Sequence, residues 1–487
     1  MNRDEFQEES AEFVAAVERV ARWMVNYFDR PGEYPVLSRV SPGEIRASLP
    51  PDPPPQGRAL SDILDDFDSK IVPGITHWNH PSFFAYFSIS GSYPGILGEL
   101  LSAALNVNGM LWRTSPALTE LETLSLDYLR KLLGLHEPFF GQILDTASTS
   151  SLIAITAARE ALTDLNIRME GMPGRDQVPR LVLYASQEAH SSIEKAAIVT
   201  GVGVRNVRRV PVDDQFRMDT NELTRAIEED LANGHRPFCV VATVGTTSTT
   251  SVDPVPDIAD ACERYGLWLH VDAAYAWAAA ILPEKRHIID GCERADSIVI
   301  NPHKWLFTPV DLSVLFCRSR DALRNAFLLV PEYLTSDDEA DQPNLMDYGF
   351  QMGRRFRALK LWMVINYYGV EGLQKRIREH IRLADVFRNW ADRHPDFRVV
   401  APVEFSTICF RFAPPSLVAD SETVDGLNES LLEAVNRSGK AFLSHTKVNG
   451  RFTLRCAIGN IRTTEEHVLA LTHLLEGESQ KLSEGEF

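Results

Sequence analysis

Helical and strand-like segments alternate between residues 95 and 320, and this pattern allows few folds. Amphipathic stretches such as Asp257–Tyr265 precede short apolar runs such as Leu267–Val271. Short apolar strands separated by helices are typical of a mostly parallel sheet covered by helices on both faces. Ligands of such α/β folds bind beyond the carboxyl ends of the strands. The predicted strands are Arg180–Tyr184, Phe238–Val244, Leu267–Val271, Ser297–Ile300 and Ser313–Phe316.

Segments of different character flank this region, and they predict three parts: residues 1–85, 86–365 and 366–487. The first part begins with an amphipathic helix over 5–28, followed by the proline-rich linker Leu49–Pro55. The apolar stripe of that helix needs a surface, which either a second subunit or its own chain could provide. In the last part, the order strand, strand, helix, strand, strand, helix predicts a small α+β domain. Its strands are predicted around Phe397–Val400, Thr407–Phe412, Ala441–Ser444 and Arg451–Ala457, and its helices around Val424–Arg437 and Glu465–Leu475.

Composition and charge exclude several classes of protein. The net charge of −18 over 487 residues opposes binding to nucleic acid or an anionic membrane, because both favour basic surfaces. No apolar run is long enough to span a bilayer, and the first residues lack the pattern of a signal peptide. Six scattered cysteines without CxxC spacing predict buried thiols, a reducing cytoplasmic location and no metal site.

Two short motifs place complementary chemical groups at strand ends. Asp272 closes the apolar run that leads into Ala273-Ala274-Tyr275, and Lys304 follows Ser297–Ile300 within Asn301-Pro302-His303-Lys304-Trp305. Taken alone, a lysine after a strand is usually a surface residue and an aspartate there usually caps a turn or helix. Together, an amine able to form an imine and an acid able to hold a ring nitrogen meet the requirements of pyridoxal phosphate.

These motifs resemble those of the pyridoxal phosphate group II decarboxylases, close to the branch that acts on aromatic L-amino acids. The resemblance covers nearly the whole chain. It also includes Thr76–Pro81, Phe84–Phe87, Ser115–Ala117, Glu120–Glu122 and Gly353–Arg357. It implies a fold-type I transferase-like architecture, pyridoxal 5′-phosphate as cofactor, an aromatic amino acid as substrate and a homodimer. The N-terminal helix and the Ser115-Pro116 segment are expected at the dimer interface.

The resemblance assigns the main catalytic roles. Lys304 is expected to bond covalently to the cofactor, and burial would favour its unprotonated amine. Asp272 is expected to pair with the pyridine nitrogen. His190, in Ala189-His190-Ser191-Ser192, is expected to lie over the cofactor ring opposite Ala274 and to reach the substrate.

The cofactor phosphate needs backbone N–H groups at a helix N-terminus together with small hydroxyls. The run Asp145–Ser151 before a helix fits this need and makes Ala147 and Ser148 the expected contacts, although a Ser/Thr cluster there could also be a simple cap. Asn301 and His303 are expected to add donors. By the resemblance, Thr247 lies beside the cofactor hydroxyl.

Tyr333 favours one reaction over another on the same scaffold. In the resembling enzymes this tyrosine protonates the carbon that has lost CO₂ and so gives an amine, whereas phenylalanine there leads to an aldehyde. A polar run, Thr335–Gln342, comes after it and has the composition of a mobile loop. The sequence therefore predicts a decarboxylase. An aromatic aldehyde synthase and a catalytically silent regulatory homologue are the alternatives.

Aromatic and thioether side chains suit a flat apolar substrate, although each could equally belong to the core. Besides His190, the expected contacts are Trp78, Tyr86, Phe87, Met110 and Trp112, and Met110 is expected to enter the partner's site. Gly353 stands where relatives acting on histidine or tyrosine tend to carry serine. It favours tryptophan or DOPA, with tyrosine and phenylalanine as further options. Ile89 and Trp277 depart from the family pattern, replacing a small polar residue and a glycine.

Overall fold

A seven-stranded sheet forms the centre of the computed structural model, which describes residues 3–135, 139–172, 174–329, 343–417 and 420–484. Its strands are arranged in the order β1-β7-β6-β5-β4-β2-β3, and β7 runs antiparallel to both of its neighbours while the other pairs are parallel. This confirms the predicted α/β class with a mostly parallel sheet. The strands are β1 (Phe140–Leu144), β2 (Leu181–Ser186), β3 (Val207–Val210), β4 (Arg236–Thr243), β5 (Trp268–Asp272), β6 (Ser297–Ile300) and β7 (Ser313–Cys317).

Helices lie between the strands of the central sheet in the sequence, and further helices precede and follow this region. The longest, α13, is broken at Gly369, whose φ of 62° lies in the left-handed region. In chain order the helices are α1 (Arg3–Asp29), α2 (Glu44–Ser48), α3 (Leu60–Asp66), α4 (Tyr93–Leu105), α5 (Pro116–Leu133), α6 (Ala147–Glu160), α7 (Ile167–Glu170), α8 (Ser192–Val199), α9 (Thr220–Ala232), α10 (Val255–Tyr265), α11 (Pro302–Trp305), α12 (Arg320–Phe327), α13 (Arg357–Arg393), α14 (Ser421–Ser438) and α15 (Glu465–Glu484).

The central strand β5 shows how the core fixes the position of the site. Leu269 and Val271 are almost completely buried in the largest apolar cluster. The alternate residues Trp268, His270 and Asp272 point to the opposite face, where α6 packs. Because one side of the strand belongs to an apolar core, its register cannot slip without exposing that core. Asp272 is therefore held at the carboxyl end of the strand.

A second sheet, of four antiparallel strands in the order β10-β11-β9-β8, lies in the C-terminal region and has its own apolar cluster with α14 and α15. Its strands are β8 (Phe397–Val399), β9 (Thr407–Phe412), β10 (Ser444–Val448) and β11 (Arg451–Ala457). The strand predicted around Ala441–Ser444 is present, but it lies about four residues later in the chain, at Ser444–Val448. The turn at Asn449-Gly450, with φ of 52° and 76°, sets a hairpin whose first strand begins only at Ser444. Phe442 forms an isolated bridge with Phe83 instead.

Two strands of the central sheet were not predicted from the sequence, and both lie at its edges. β1 contains Gly141, a residue with low strand propensity, and β3 carries two arginines, of which Arg208 is half-exposed and Arg209 is exposed. The division into 1–85, 86–365 and 366–487 stays a prediction. None of the described helices combines the length and apolar character needed to cross a lipid bilayer.

Candidate active site

Lys304 and Asp272 line one cavity of about 200 Å³ at the carboxyl edge of the central sheet. They meet there because β5 and β6 are parallel neighbours, with Asp272 opposite Val299. Asp272 ends β5, and Lys304 lies in the short helix α11 directly after β6. The strand-end placement expected from the sequence thus brings the amine and the carboxylate into one space.

Burial lowers the pKa of the Lys304 amine from its usual value, although the Asp272 carboxylate opposes this shift and Arg455 adds to it. Desolvation disfavours the ammonium form, so a larger fraction of the amine is unprotonated at neutral pH. An unprotonated amine is the form that attacks a carbonyl group. Asp272 is 6% exposed and accepts a hydrogen bond from the Ala274 N–H (3.1 Å), which fixes the carboxylate at the cavity wall.

His190 lines the same cavity in a defined tautomer. The Ser192 backbone N–H donates to its Nδ1 (3.2 Å), and the Ser192 hydroxyl lies 2.8 Å from that nitrogen. Nδ1 is therefore an acceptor, and the ring proton of neutral His190 is carried by Nε2. Burial lowers the pKa of His190, with a raising effect from Asp272 and a lowering effect from Lys304, so the neutral form is favoured. The ring can present an N–H donor to a ligand.

One part of the cavity wall is able to hold an anion. Ala147 and Ser148 line it at the first turn of α6, which Thr146 caps by accepting a hydrogen bond from the Thr149 N–H (3.5 Å). The free N–H groups of a helix N-terminus favour negative charge. Thr247, Asn301, His303 and Ala274 also line the cavity, as expected.

His303 and Asn301 form a polar pair at the cavity wall. The Leu312 N–H donates to His303 Nδ1 (2.9 Å), so the proton of this neutral ring, whose pKa burial lowers to about 3, is on Nε2. That nitrogen lies 3.4 Å from the Asn301 amide nitrogen. Asn301 Oδ1 is buried without a partner among the described residues. Rotating the amide gives Oδ1 to His303 and leaves the Asn301 NH₂ free to donate into the cavity.

The donor set therefore fits pyridoxal phosphate. The cavity wall includes the Asn301 amide and the first turn of α6, which can donate N–H groups to a phosphate, and the Asp272 carboxylate, which can hold a protonated ring nitrogen. Thr243 Oγ1, a second cavity atom, is also buried without a partner among the described residues. The described residues include no cluster of His, Cys, Asp and Glu side chains able to bind a metal ion.

A second cavity, of about 340 Å³, adjoins the first and shares Phe87, His190, Thr247 and Lys304 with it. Its other lining residues are Trp78, Tyr86, Ile89, Ser248, Ser444, His445, Thr446 and Arg455. We call this second cavity the side-chain chamber. Trp78 stacks on Tyr86 with ring centroids 5.6 Å apart, and Phe87 stacks on Tyr275 at 3.8 Å. Flat aromatic walls beside Lys304 suit a flat substrate side chain.

Arg455 is a cavity residue that was not predicted from the sequence. Its side chain is almost fully buried, and its guanidinium lies 4.5 Å from the centre of the Phe87 ring. Nε donates to the Ser248 carbonyl (3.0 Å) and Nη1 donates to the Tyr86 carbonyl. Nη2 is buried without a partner among the described residues. A signal was present, since an arginine between Leu454 and Cys456 in an apolar strand is expensive to bury unless an anion pairs with it.

Thr243 and Gly245 were also missed as cavity residues. Gly245 has a φ of +91°, and a Cβ there would lie 2.5 Å from the Cβ of Ala276. Glycine is therefore required where β4 turns beside the cavity. The strand-to-turn glycine was the available sequence signal.

Some expected substrate contacts line neither cavity. Met110 and Gly353 lie near each other instead, because the Gly109 N–H donates to the Arg354 carbonyl (2.9 Å) and the Arg354 N–H donates to Asn108 Oδ1 (2.9 Å). Trp112 donates through Nε1 to Glu120 (3.1 Å). Tyr333 lies outside the described residues.

The two departures from the family pattern have different surroundings. Ile89 lines the side-chain chamber and replaces a polar contact there with an apolar one. Trp277 is completely buried in the main core, and its Nε1 has no partner among the described residues. Trp277 therefore acts through packing and not through contact with either cavity.

Comparison with known proteins gives a consistent pattern. The model of the pyridoxal-dependent decarboxylase conserved domain matches residues 42–413. Tyrosine decarboxylase 2 of Arabidopsis thaliana is 42% identical over 477 residues, which cover 96% of this chain and 86% of the relative. Phenylacetaldehyde synthase of the same plant is 41% identical over 473 residues, covering 94% of each. The crystal structure of Oryza sativa TDC with PLP and tryptamine superposes with a TM-score of 0.93 at 36% identity, covering 99% of both chains.

Proposed function

The chain belongs to the pyridoxal-dependent decarboxylase family, and from this premise we propose that it converts aromatic L-amino acids into arylalkylamines and CO₂. It is a pyridoxal phosphate enzyme, and the resemblance inferred from its motifs is confirmed. The observation that carries the proposed reaction is the position of Lys304, which lines both the anion-binding cavity and the aromatic side-chain chamber.

The residues divide the work of holding the cofactor. Lys304 would bind it covalently, Asp272 would hold its ring nitrogen protonated, and Ala147, Ser148 and Asn301 would donate to its phosphate. When bound, pyridoxal phosphate accepts the electron pair that remains on the substrate carbon after CO₂ leaves. The negative charge of a carboxylate next to the ring nitrogen balances the positive charge of the protonated ring.

The chamber would orient the substrate. Its aromatic walls place the flat side chain, and Arg455 Nη2 is positioned to pair with the α-carboxylate near Lys304. His190 would donate from Nε2 to the substrate. The chain must also deliver one proton to the carbon that loses CO₂, a role we assign to Tyr333 on the basis of the sequence. General-acid help of this kind contributes about 10²–10⁴-fold to the rate.

An aldehyde synthase is the second candidate because proteins of that name are among the similar chains. The two reactions diverge once CO₂ has left: an amine arises if the carbon is protonated, and an aldehyde with ammonia and hydrogen peroxide arises if oxygen reacts. Tyr333 favours protonation. A panel of tryptophan, DOPA, tyrosine and phenylalanine, assayed for amine, aldehyde and peroxide, separates the two. Amine without peroxide supports the proposal, and peroxide equal to substrate consumed refutes it.

The apolar chamber points to the substrate class more than to one amino acid. By the family resemblance Gly353 favours large rings, so we propose tryptophan or DOPA as the preferred substrates. Ile89 in the chamber offers no hydrogen bond to a ring hydroxyl, which favours tryptophan over DOPA. The same panel ranks them by kcat/KM.

A catalytically silent regulatory homologue is the remaining alternative. The presence of both Lys304 and Asp272 argues against it, because these are the residues that the family's chemistry requires. Failure of borohydride to fix the cofactor on Lys304 would support the silent homologue.

A homodimer is part of the proposal. Helix α4 exposes a row of apolar side chains that are between 43% and 58% exposed: Tyr93, Leu97, Leu100, Leu101 and Leu105. Helix α1 packs on its own chain near its C-terminal end, where Trp23 contacts Phe67, but exposes Phe13 and Val14. A contiguous apolar surface of this kind favours a protein partner. Because Met110 and Gly353 line neither cavity, a role in substrate binding requires a second copy.

The dimer can be tested with matched variants. Leu101→Glu should shift the sedimentation coefficient to that of a monomer and abolish activity, because a buried charge opposes association. Leu469→Glu, on α15 and 41% exposed, is the control and should leave the dimer intact. A Leu101→Glu protein that stays dimeric would remove α4 from the interface.

We also propose a cytoplasmic location. All six cysteines are unpaired and buried, as is typical of proteins in reducing compartments. Cell fractionation with the native sequence tests this proposal, and recovery in an oxidising compartment would refute it.

A further inference from the structure

A buried polar network lies behind the cofactor cavity and centres on His270, a residue that lines neither cavity. His270 Nδ1 is 2.9 Å from Ser297 Oγ, and Nε2 is 3.1 Å from Ser151 Oγ. Trp268 Nε1 also donates to Ser297 Oγ (2.8 Å). His270 and both serines are completely buried. The ring therefore bridges two hydroxyls from different elements in a region without exposed surface.

The network joins the two parts of the proposed cofactor site. His270 stands two residues before Asp272 on β5 and points to the same face of the sheet. Ser151 belongs to α6, whose first turn presents Ala147 and Ser148 to the cavity. One imidazole thus connects the strand that carries the carboxylate with the helix that carries the anion-binding N–H groups.

Ser150, which directly precedes Ser151 in α6, also makes a hydrogen bond to the sheet. Ser150 Oγ lies 2.8 Å from Ser313 Oγ on β7. Two consecutive serines therefore fix α6 to the sheet by hydrogen bonds. The other buried residues of α6 are alanines and isoleucines, which pack without hydrogen bonds. Hydrogen bonds are directional, so they define the shift of a helix along a sheet more sharply than apolar packing does.

We propose that His270 is a positioning residue that sets the distance between the anion-binding turn of α6 and Asp272, and thereby the affinity for pyridoxal phosphate. The inference rests on the cofactor site and goes beyond the proposed reaction, since it does not depend on which amino acid is used or which product forms. A rigid ligand with an anion at one end and a ring nitrogen at the other binds best when both contacts are held at a fixed separation.

The ring is suited to this task because its two nitrogens reach two partners on opposite sides. His270→Phe keeps the ring's bulk but removes its hydrogen bonds to both serines, so Ser151 loses its side-chain partner while Ser297 keeps the one from Trp268 Nε1. His270→Gln can preserve the bond to Ser151 alone. The dissociation constant of pyridoxal phosphate should rise by at least about tenfold in His270→Phe, as loss of one buried hydrogen bond predicts, and less in His270→Gln.

The test is equilibrium dialysis of the holoenzyme against a series of free pyridoxal phosphate concentrations, with retained cofactor measured by absorbance. Tyr184→Phe is the matched control, because it removes another buried hydrogen bond of the same sheet, from Tyr184 to Asp230 (2.8 Å), away from the cavity. It should lower the melting temperature without changing the dissociation constant. His270→Phe should change both.

A double-mutant cycle completes the design. Ser151→Ala should weaken cofactor binding by itself, and combining it with His270→Phe should add little, since both remove the same bond. If His270→Phe does not fold, Ser151→Ala and Ser297→Ala provide the same comparison. An unchanged dissociation constant in Ser151→Ala, or fully additive effects in the cycle, would overturn the proposal. Either result would leave the proposed decarboxylation untouched, because wild-type cofactor binding and amine formation are measured separately.

Discussion

Replacing Arg455 gives a prediction whose size can be worked out from the structure. Among the described residues, Arg455 is the one arginine that lines the side-chain chamber, and its Nη2 has no hydrogen-bond partner there. If that group pairs with the substrate carboxylate, Arg455→Met removes a hydrogen bond to a charged group, which is worth about 1.5–3 kcal/mol. The corresponding loss of substrate affinity is about 10- to 150-fold.

The effect should fall mainly on KM. The carboxylate loses its charge as CO₂ leaves, so its bond to Arg455 is stronger in the bound substrate than in the transition state. Removing an interaction of that kind raises KM and does not lower kcat. We expect KM for L-tryptophan to rise about tenfold or more, with kcat unchanged or increased. Arg455→Lys should rescue only part of the loss, because an ammonium lacks the planar fork of donors.

The product amine separates this role from a structural one. Arg455 also supports the chamber wall through the Ser248 and Tyr86 carbonyls, so the substitution could simply deform the chamber. Tryptamine has the same ring as tryptophan but no carboxylate. Its inhibition constant should change by less than about threefold in Arg455→Met. Equal weakening of tryptophan and tryptamine would refute the assignment of Arg455 to the carboxylate.

Three further predictions concern other groups. Asp272→Asn should lower kcat by on the order of 10²-fold or more while cofactor absorbance remains, because an amide cannot balance a protonated ring nitrogen; unchanged kcat would contradict this. Tyr333→Phe should shift the product from amine to aldehyde with peroxide, and unchanged amine output would remove Tyr333 from the mechanism. The free energy of unfolding should fall between pH 7.5 and 5, because burial lowers the pKa of both His270 and His380 to about 4 in the folded state, while the unfolded chain binds these protons below about 6.5. The loss is up to about 2 kcal/mol for each group at pH 5, and urea titrations that show equal stability at both pH values would contradict it.

The sequence predicted that Asp272 and Lys304 lie at one edge of the sheet, because this placement depends on local patterns. Asp272 and Lys304 each end a strand, and parallel strands in one sheet bring such ends together. The turn before α6 could likewise be read from its small polar residues. Each of these inferences needed only a short motif and the general geometry of an α/β sheet.

The contacts that could not be predicted join segments that are far apart in the sequence. Arg455 reaches the chamber because β11 of the C-terminal sheet lies against the Tyr86 backbone, and no local pattern specifies that docking. The bounds predicted for β10 were shifted because the turn at Asn449-Gly450, and not the preceding apolar run, decides where the strand lies. His270 was overlooked because an isolated histidine in a strand gives no sign of the two serines that it joins.

The most direct test of the account is to run the reaction in D₂O and analyse the product by mass spectrometry. Protonation of the carbon that loses CO₂ predicts an arylalkylamine with one carbon-bound deuterium, formed without hydrogen peroxide. An aldehyde accompanied by stoichiometric peroxide, or an amine without carbon-bound deuterium, would contradict the account.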